Sequence, residues 1–211
     1  MTMSLTLPAE CIERAQRLMQ SGTRKILGIA AAPGAGKSTL AAHLAAALGD
    51  RAQVVPMDGF HLSNAALISL NRRQRKGAPD TFDAEGYAQL LLRLRTQQAG
   101  QTIYAPEYLR ELEEGIAGSL AILAGTQLII TEGNYLLLDE DGWGPVRSLL
   151  DEAWYLDIDD SLREQRLLAR HVQFGKSPQQ ALDWIASTDA PNARRIARTA
   201  DRADWRLALD V

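Results

Sequence analysis

A short glycine-rich stretch, AAPGAGKST at residues 31–39, constrains the fold of this 211-residue chain more than any other feature. It lies between a buried-strand pattern at 26–30 and an alanine-rich helical pattern at 38–48. The stretch departs from the pattern Gly-x-x-x-x-Gly-Lys-Ser/Thr at one position, because Ala31 stands where the first glycine would be. A strand, a glycine loop and a helix in this order predict a phosphate-binding loop in a parallel α/β domain.

The expected phosphate contacts come from backbone N–H groups downstream of Ala31. Gly34 and Gly36 let the backbone bend around a phosphate, and the N-terminus of the following helix adds the positive end of its dipole. Lys37 adds a charge for the β- and γ-phosphates, and the Ser38 hydroxyl is placed to bind Mg²⁺. The predicted nucleotide-binding set is Pro33, Gly34, Ala35, Gly36, Lys37, Ser38 and Thr39. Ala31 should matter only if its position needs a positive φ or very close packing. The alternative is a glycine turn that merely begins a helix.

Apolar runs of strand length alternate with segments of helical period along the chain. Further buried strands are predicted at 53–57, 127–131 and 154–158, with 205–211 as an additional edge strand. Helical patterns also occur at 8–20, 84–98, 145–150, 161–174 and 178–187. This alternation predicts an α/β fold with a mostly parallel sheet and helices on both of its faces. No repeat or Pro/Ser-rich linker interrupts the pattern, so residues 1–211 are expected to form a single domain.

Composition excludes several classes of partner. The formal net charge is −3, with 46% hydrophobic and 23% charged residues, so no general field attracts a polyanion and a nucleic-acid partner is not expected. No apolar run reaches the roughly 18 residues needed to span a bilayer, and no basic and apolar leader begins the chain. Neither membrane insertion nor export is expected. The single cysteine, Cys11, is expected to be a small core residue in a reducing cytoplasm.

Two acidic residues follow strand patterns in the same way. Asp58 occurs in VVPMDGFH at 54–61, and Glu132 occurs in LIITEGN at 128–134. Ligands of open α/β sheets collect at the carboxyl ends of the strands, so both carboxylates are expected near the phosphate loop. For Asp58 taken alone, an Asp-Gly turn is an equally good explanation.

Five motifs, taken in their order along the chain, resemble those of a known family. The ordered motifs AAAPGAGKST, PMDGFH, RKGAPDTFD, ITEGNYLLL and PNARRIA look like those of the P-loop kinases of the uridine kinase, pantothenate kinase and phosphoribulokinase group. The nearest resemblance, over about residues 27–200, is to bacterial nucleoside/nucleotide kinase-like proteins labelled fructose transport system kinase.

The resemblance implies a three-layer P-loop NTPase fold, the cofactors ATP and Mg²⁺, and transfer of the γ-phosphate to a hydroxyl of a small metabolite. The acceptor would be of sugar, nucleoside or vitamin-precursor type. Asp58 would accept or orient the hydroxyl proton, and Glu132 would act on Mg²⁺ through water, which makes Ser38 and Glu132 the predicted metal set. The alternative is a P-loop nucleotide-binding protein that acts as a sensor or assembly ATPase.

Three arginines recur at spacings of three and four residues in the helical pattern 161–174. Arg163, Arg166 and Arg170 therefore share one helix face, which in a kinase would belong to a lid of about residues 161–188 closing over ATP. Arg166 and Arg170 are the expected catalytic cations beside Lys37, Asp58 and Glu132. A solvated helix face with acidic partners is the alternative.

The acceptor pocket is expected within about residues 58–110. Its candidate substrate-binding residues are Asp58, His61, Arg75, Lys76, Asp83 and Tyr104. Arg75 or Lys76 could meet an anionic group, although a basic run is usually a solvated loop. Asp83 could equally be the N-cap of the helix that follows it. Ala105 after Tyr104 departs from the uridine kinase pattern and argues against uridine. The sequence leaves open the identity of the acceptor and allows a homo-oligomer.

Overall fold

A computed structural model describes residues 7–208 of the chain. Its strands are β1 (Lys25–Ala30), β2 (Ala52–Val54), β3 (Thr102–Leu109), β4 (Glu114–Leu123), β5 (Leu128–Gly133), β6 (Glu152–Asp157) and β7 (Trp205–Ala208). Its helices are α1 (Ala9–Met19), α2 (Lys37–Leu48), α3 (Asn64–Ser69), α4 (Ala84–Arg95), α5 (Gly144–Leu149), α6 (Asp160–Gln173), α7 (Pro178–Trp184) and α8 (Ala190–Ala197). In this part of the chain no helix combines the length and the apolar character needed to cross a membrane.

Five strands form a parallel sheet in the order β2-β5-β1-β6-β7, with helices on both faces. One face packs on α1 and α2 around Leu27 and Leu40, and the other packs on α4, α5 and α8 around Ile26 and Tyr87. The predicted α/β fold is thus confirmed. Cys11 is fully buried in the first of these layers, and burial raises its thiol pKa to about 11, as suits an unreactive core residue.

The strand order determines which loops are neighbours. Since β5 lies between β2 and β1, the segments that leave these three strands emerge side by side at one edge of the sheet. The segment after β2 carries Asp58, the end of β5 carries Glu132, and the segment after β1 is the loop at 31–36. Residues that are far apart in sequence therefore meet at the carboxyl ends of the central strands, where a parallel sheet leaves a crevice.

Three predicted elements end differently from the pattern, and one of them is the helix expected at 84–98, which stops at Arg95. The strand expected at 53–57 stops at Val54, and Asp58 lies in the 3₁₀ turn Met57–Phe60 that follows it. The helix expected at 178–187 leaves the α geometry after Trp184, passes through the π-helical turn Ile185–Asp189 and continues as α8. The edge strand predicted at 205–211 is present as β7, parallel to β6, and residues 209–211 lie outside the described part.

An antiparallel hairpin of β3 and β4 stands apart from the main sheet and was not predicted. Its backbone presses against the turn that carries Asp58, because a Cβ atom on Gly59 would collide with the Pro106 carbonyl. On the other strand, a Cβ atom on Gly115 would meet the Gly59 carbonyl. Two glycines thus allow the hairpin to lie directly on the Met57–Phe60 turn, which brings the tip of the hairpin to the edge of the sheet.

Candidate active site

A cleft of about 250 Å³ opens at the edge of the sheet where these loops meet. Its walls come from the end of the loop at 31–36, the Met57–Phe60 turn, the end of β5, the hairpin and the helices α6 and α7. Lys37, Ser38, Asp58 and Glu132 all line it. The parallel sheet has therefore gathered the four residues that the sequence singled out at its strand ends.

The loop between β1 and α2 uses its glycines as expected. Gly34 and Gly36 have φ values of 84° and 93°, in the left-handed region that favours glycine. A Cβ atom on Gly34 would also lie 2.7 Å from the carbonyl oxygen of Arg163, so this position excludes side chains for a second reason. The bend that exposes the backbone N–H groups at the start of α2 thus depends on these two residues.

The surroundings of Ala31 show whether this position of the loop needs glycine. It is fully buried in the core, and its φ is not positive. It belongs to the hydrophobic cluster around Leu27 and Leu40 and does not line the cleft, so the position has no need for glycine.

We expect Ala31→Gly to change the KM for ATP by less than about tenfold, which corresponds to under roughly 1.4 kcal/mol of binding energy. Loss of a buried methyl and added backbone freedom should instead cost about 1 kcal/mol of unfolding free energy. Steady-state kinetics and urea denaturation measure the two effects separately. A gain in ATP affinity above tenfold would mean that the natural loop is impaired.

Lys37, Ser38 and Glu132 form the polar floor of the cleft. The Ser38 hydroxyl donates to Glu132 Oε1 at 2.9 Å, and Glu132 itself is buried. Burial raises the pKa of Glu132, and the nearby Lys37 ammonium opposes that shift. Burial likewise lowers the pKa of Lys37, against the attraction of Glu132 and Asp58. The Lys37 ammonium is therefore attracted by two carboxylates, those of Glu132 and Asp58. The Ser38 hydroxyl and the Glu132 carboxylate are adjacent oxygen donors, which suit a hard cation such as Mg²⁺.

Asp58 faces the cleft beside groups from two other elements. Arg110, at the tip of the hairpin, places Nη2 3.5 Å from Asp58 Oδ2. His61 donates Nδ1–H to the Asp58 carbonyl at 2.7 Å, because a carbonyl can only accept. The imidazole ring lies tilted against Phe82 and Tyr108 at centroid distances of 4.0 and 4.5 Å, and burial lowers its pKa, which favours the neutral form. Asp58 is thus held beside a cation and an aromatic wall.

The three arginines of α6 have different surroundings. Arg170 lines the cleft, where burial and repulsion from Arg110 lower its pKa. Arg166 lies close to the loop, because its Nη1 would be 3.7 Å from a Cβ atom on Gly36. Arg163 is only 3% exposed, and its Nη1 donates to the Pro33 carbonyl at 3.3 Å. The three arginines therefore differ: Arg163 bonds to the loop, Arg166 lies beside Gly36 without lining the cleft, and Arg170 lines the cleft.

Three expected acceptor contacts are corrected by the structure. Arg75 pairs with Asp80 and lies outside the cleft. Asp83 accepts from the Gly86 N–H as the N-cap of α4, which is the alternative that its sequence position allowed. Tyr104 is 60% exposed on β3, because alternate residues of that strand face solvent. Asp58, His61 and Lys76 do line the cleft.

Sequence patterns missed several residues that line the cleft. Tyr108 and Arg110 reach it from the hairpin, beyond a register shift between Ala105 and Glu107. From the other side, His171 Nε2 lies 2.8 Å from Oδ2 of the buried Asp189, at the end of the π-helical turn. No local motif marks Tyr108 or Arg110, because the hairpin reaches the cleft only through tertiary packing, whereas His171 falls within the lid expected at about 161–188.

The chain is similar to several known proteins. The model of the phosphoribulokinase / uridine kinase family matches residues 26–208. A crystal structure from Silicibacter sp. TM1040, with the provisional name fructose transport system kinase, superposes with a TM-score of 0.86 and 36% identity over 97% of this chain and 100% of that one. The ATP-dependent kinase-like protein notR' of Aspergillus versicolor is 36% identical, covering 67% of this chain and 87% of its own length. The uncharacterized Escherichia coli protein YggC is 34% identical, covering 86% and 76% respectively.

Proposed function

The chain belongs to the phosphoribulokinase / uridine kinase family and is an ATP-dependent P-loop kinase, and we propose that it transfers the γ-phosphate to a hydroxyl group of a small metabolite. The observation that carries the proposal is the convergence of Lys37, Asp58 and Glu132 on one cleft. The carboxylates come from the neighbouring strands β2 and β5, and both act on the ammonium of Lys37, which opens the helix after the adjacent strand β1, so a phosphate at the loop would face both acids.

The proposed reaction is an in-line displacement at the γ-phosphorus. The acceptor oxygen forms the new P–O bond, the bond to the β–γ bridging oxygen breaks, and ADP leaves with the bonding electrons. Asp58 takes the hydroxyl proton or aims the hydroxyl, and Lys37 with Arg170 balances charge on the transferring group. Positioning and charge neutralisation suffice because phosphoryl transfer needs little covalent help from the protein.

The donor set at the floor of the cleft fits Mg²⁺ bound together with a nucleotide. Ser38 Oγ and the Glu132 carboxylate would hold it, Glu132 through water, and the ion would neutralise phosphate charge. Within residues 7–208 no three His, Cys, Asp or Glu side chains are clustered as a protein-only metal cage. Phosphate oxygens would therefore supply much of the coordination, as Mg²⁺ sites in kinases commonly require.

Helices α6 and α7 are proposed to act as the lid, over about residues 161–188. Arg170, His171 and Trp184 face the same cleft as Asp58, so this segment encloses the space where transfer would occur. Enclosure excludes water, which would otherwise compete with the acceptor for the γ-phosphate.

Acceptor dependence of ADP formation tests the proposed function. Purified protein with ATP and Mg²⁺ should release ADP slowly alone and much faster when a suitable sugar, nucleoside or vitamin precursor is added. ADP release that no acceptor in the panel accelerates, together with tight ATP binding, would favour the sensor or assembly ATPase instead.

Glu132→Gln should raise the Mg²⁺ concentration that gives half-maximal activity by about tenfold or more, because the amide removes a negative charge next to the proposed metal. The substitution preserves shape and can still accept from Ser38. Titration of Mg²⁺ at saturating ATP provides the measurement. An unchanged Mg²⁺ dependence would separate Glu132 from the metal.

A further inference from the structure

Three further cations line the cleft besides Lys37, Arg170 and Lys176. Arg73 pairs with Glu113 at 2.7 Å, and Arg110 faces Asp58 at 3.5 Å. Lys76 differs from both, because in the described part of the chain no carboxylate oxygen lies within 4 Å of its Nζ. Glu113 and Glu114 act on it only from beyond that distance. One ammonium of the cleft wall thus lacks a charged partner.

Lys76 is held in place by neutral groups. Its Nζ donates to Asn64 Oδ1 at 2.9 Å and to the Glu113 carbonyl, and it lies 5.5 Å from the centroid of the Tyr108 ring. An ammonium has three N–H donors, so one remains for a ligand. The side chain is half-buried, and burial lowers its pKa. A partly desolvated ammonium without a counterion is costly, and an anion in the cleft would offset that cost.

The backbone that carries Lys76 is fixed from several sides. The Tyr135 hydroxyl donates to the Gly77 carbonyl, and the Gly77 N–H donates to the Thr81 hydroxyl at 2.9 Å. The Trp143 indole N–H donates to the Pro79 carbonyl at 3.2 Å. A mobile surface lysine would have no such support. The segment therefore presents the ammonium at a defined position, as a binding site requires.

We propose that the acceptor is a small hydroxylated anion whose carboxylate or phosphate group binds Lys76 while its hydroxyl lies at Asp58. This inference rests on the proposed kinase function and narrows its substrate class. The γ-phosphate would use Lys37 and Arg170, so an anionic group of the acceptor would bind Lys76 while its hydroxyl faces Asp58 and the γ-phosphate. A neutral sugar or nucleoside would leave the ammonium without a counterion.

Matched pairs of acceptors test the proposal. Glycerate against glycerol and ribose 5-phosphate against ribose differ only in the anionic group, and the two pairs distinguish a carboxylate from a phosphate. The kcat/KM for at least one anion should exceed that of its neutral partner by tenfold or more. Binding of each compound to the Mg·ADP-loaded protein, followed by calorimetry, provides a readout that does not depend on turnover.

Lys76→Met should raise the KM or Kd of the preferred anion by tenfold or more while the KM for ATP stays within twofold, and Lys76→Arg should recover part of the loss. Arg93→Gln, which removes one exposed charge on α4, should change neither value. If the neutral partners bind and react as well as the anions, the kinase function stands and the anionic acceptor is rejected. If no anion in the panel shows binding that Lys76→Met removes, the proposal is also rejected, with or without turnover.

Discussion

Lys37→Ala should abolish phosphate transfer, with kcat/KM lower by at least about 10³-fold and ATP binding measurably weaker. Lys37 is the first residue of α2, and the carboxylates of Glu132 and Asp58 both act on its ammonium. Without it, no side chain of the loop itself would neutralise the γ-phosphate. The buried Glu132 would also lose its cation, which would raise its pKa further.

The fold should survive this substitution, since Lys37 lies at the edge of the sheet and outside the two hydrophobic clusters. Circular dichroism and a thermal melt establish that point before kinetics are measured. Lys25→Ala, at the opposite end of β1 where Lys25 pairs with Asp151 at 3.1 Å, removes an equal charge and should retain activity. Turnover at the wild-type rate in the Lys37 variant would disprove the assignment of the site.

Asp58→Asn should lower kcat by about 10²-fold or more while nucleotide binding survives, which is the usual scale for loss of a positioned base. The amide keeps the size of the carboxylate and can still lie beside Arg110, but it no longer takes a proton. A loss confined to kcat would assign Asp58 to the acceptor hydroxyl rather than to ATP.

Asp201→Asn supplies the matched control, because that carboxylate is 92% exposed and pairs only with Arg206 in the described part of the chain. It should leave kcat within about twofold, as expected of an exposed ion pair. The Mg²⁺ titration described for Glu132 should be repeated on Asp58→Asn. Identical Mg²⁺ profiles for the two variants would show that base and metal-binding roles are not separable in the way proposed.

Local pattern was sufficient for the sheet and the floor of the cleft. Buried parallel strands are nearly continuous apolar runs, so the segments around Ile29 and Ile130 could be recognised without a partner. Residues that follow such strands share one edge, which is why Asp58 and Glu132 could be placed together with the loop. These residues were predicted because their position follows from topology alone.

The side of the cleft that the hairpin forms could not be predicted by the same means. The hairpin has alternating exposure on β3 and a mostly exposed β4 whose apolar stretch, LAIL at 120–123, is confined to its end, so it does not match the longer buried runs of the main strands. Tyr108 and Arg110 reach the cleft because Gly59 and Gly115 let the hairpin lie on the Met57–Phe60 turn. Helical spacing likewise placed Arg163 and Arg170 on one face of α6. It could not show that Arg163 bonds to the Pro33 carbonyl while Arg170 lines the cleft.

The bond between Arg163 and the Pro33 carbonyl has a mechanical consequence. It attaches the first turn of α6 to the loop at 31–36, while Arg170 lies seven residues further along the same helix. At 1.5 Å per residue this gives a lever arm of about 10 Å, so a tilt of about 10° around Arg163 would displace Arg170 by about 2 Å. A displacement of that size is enough to make or break a hydrogen bond. A small shift of the loop on phosphate binding would therefore produce a larger displacement of Arg170 at the far end of the helix.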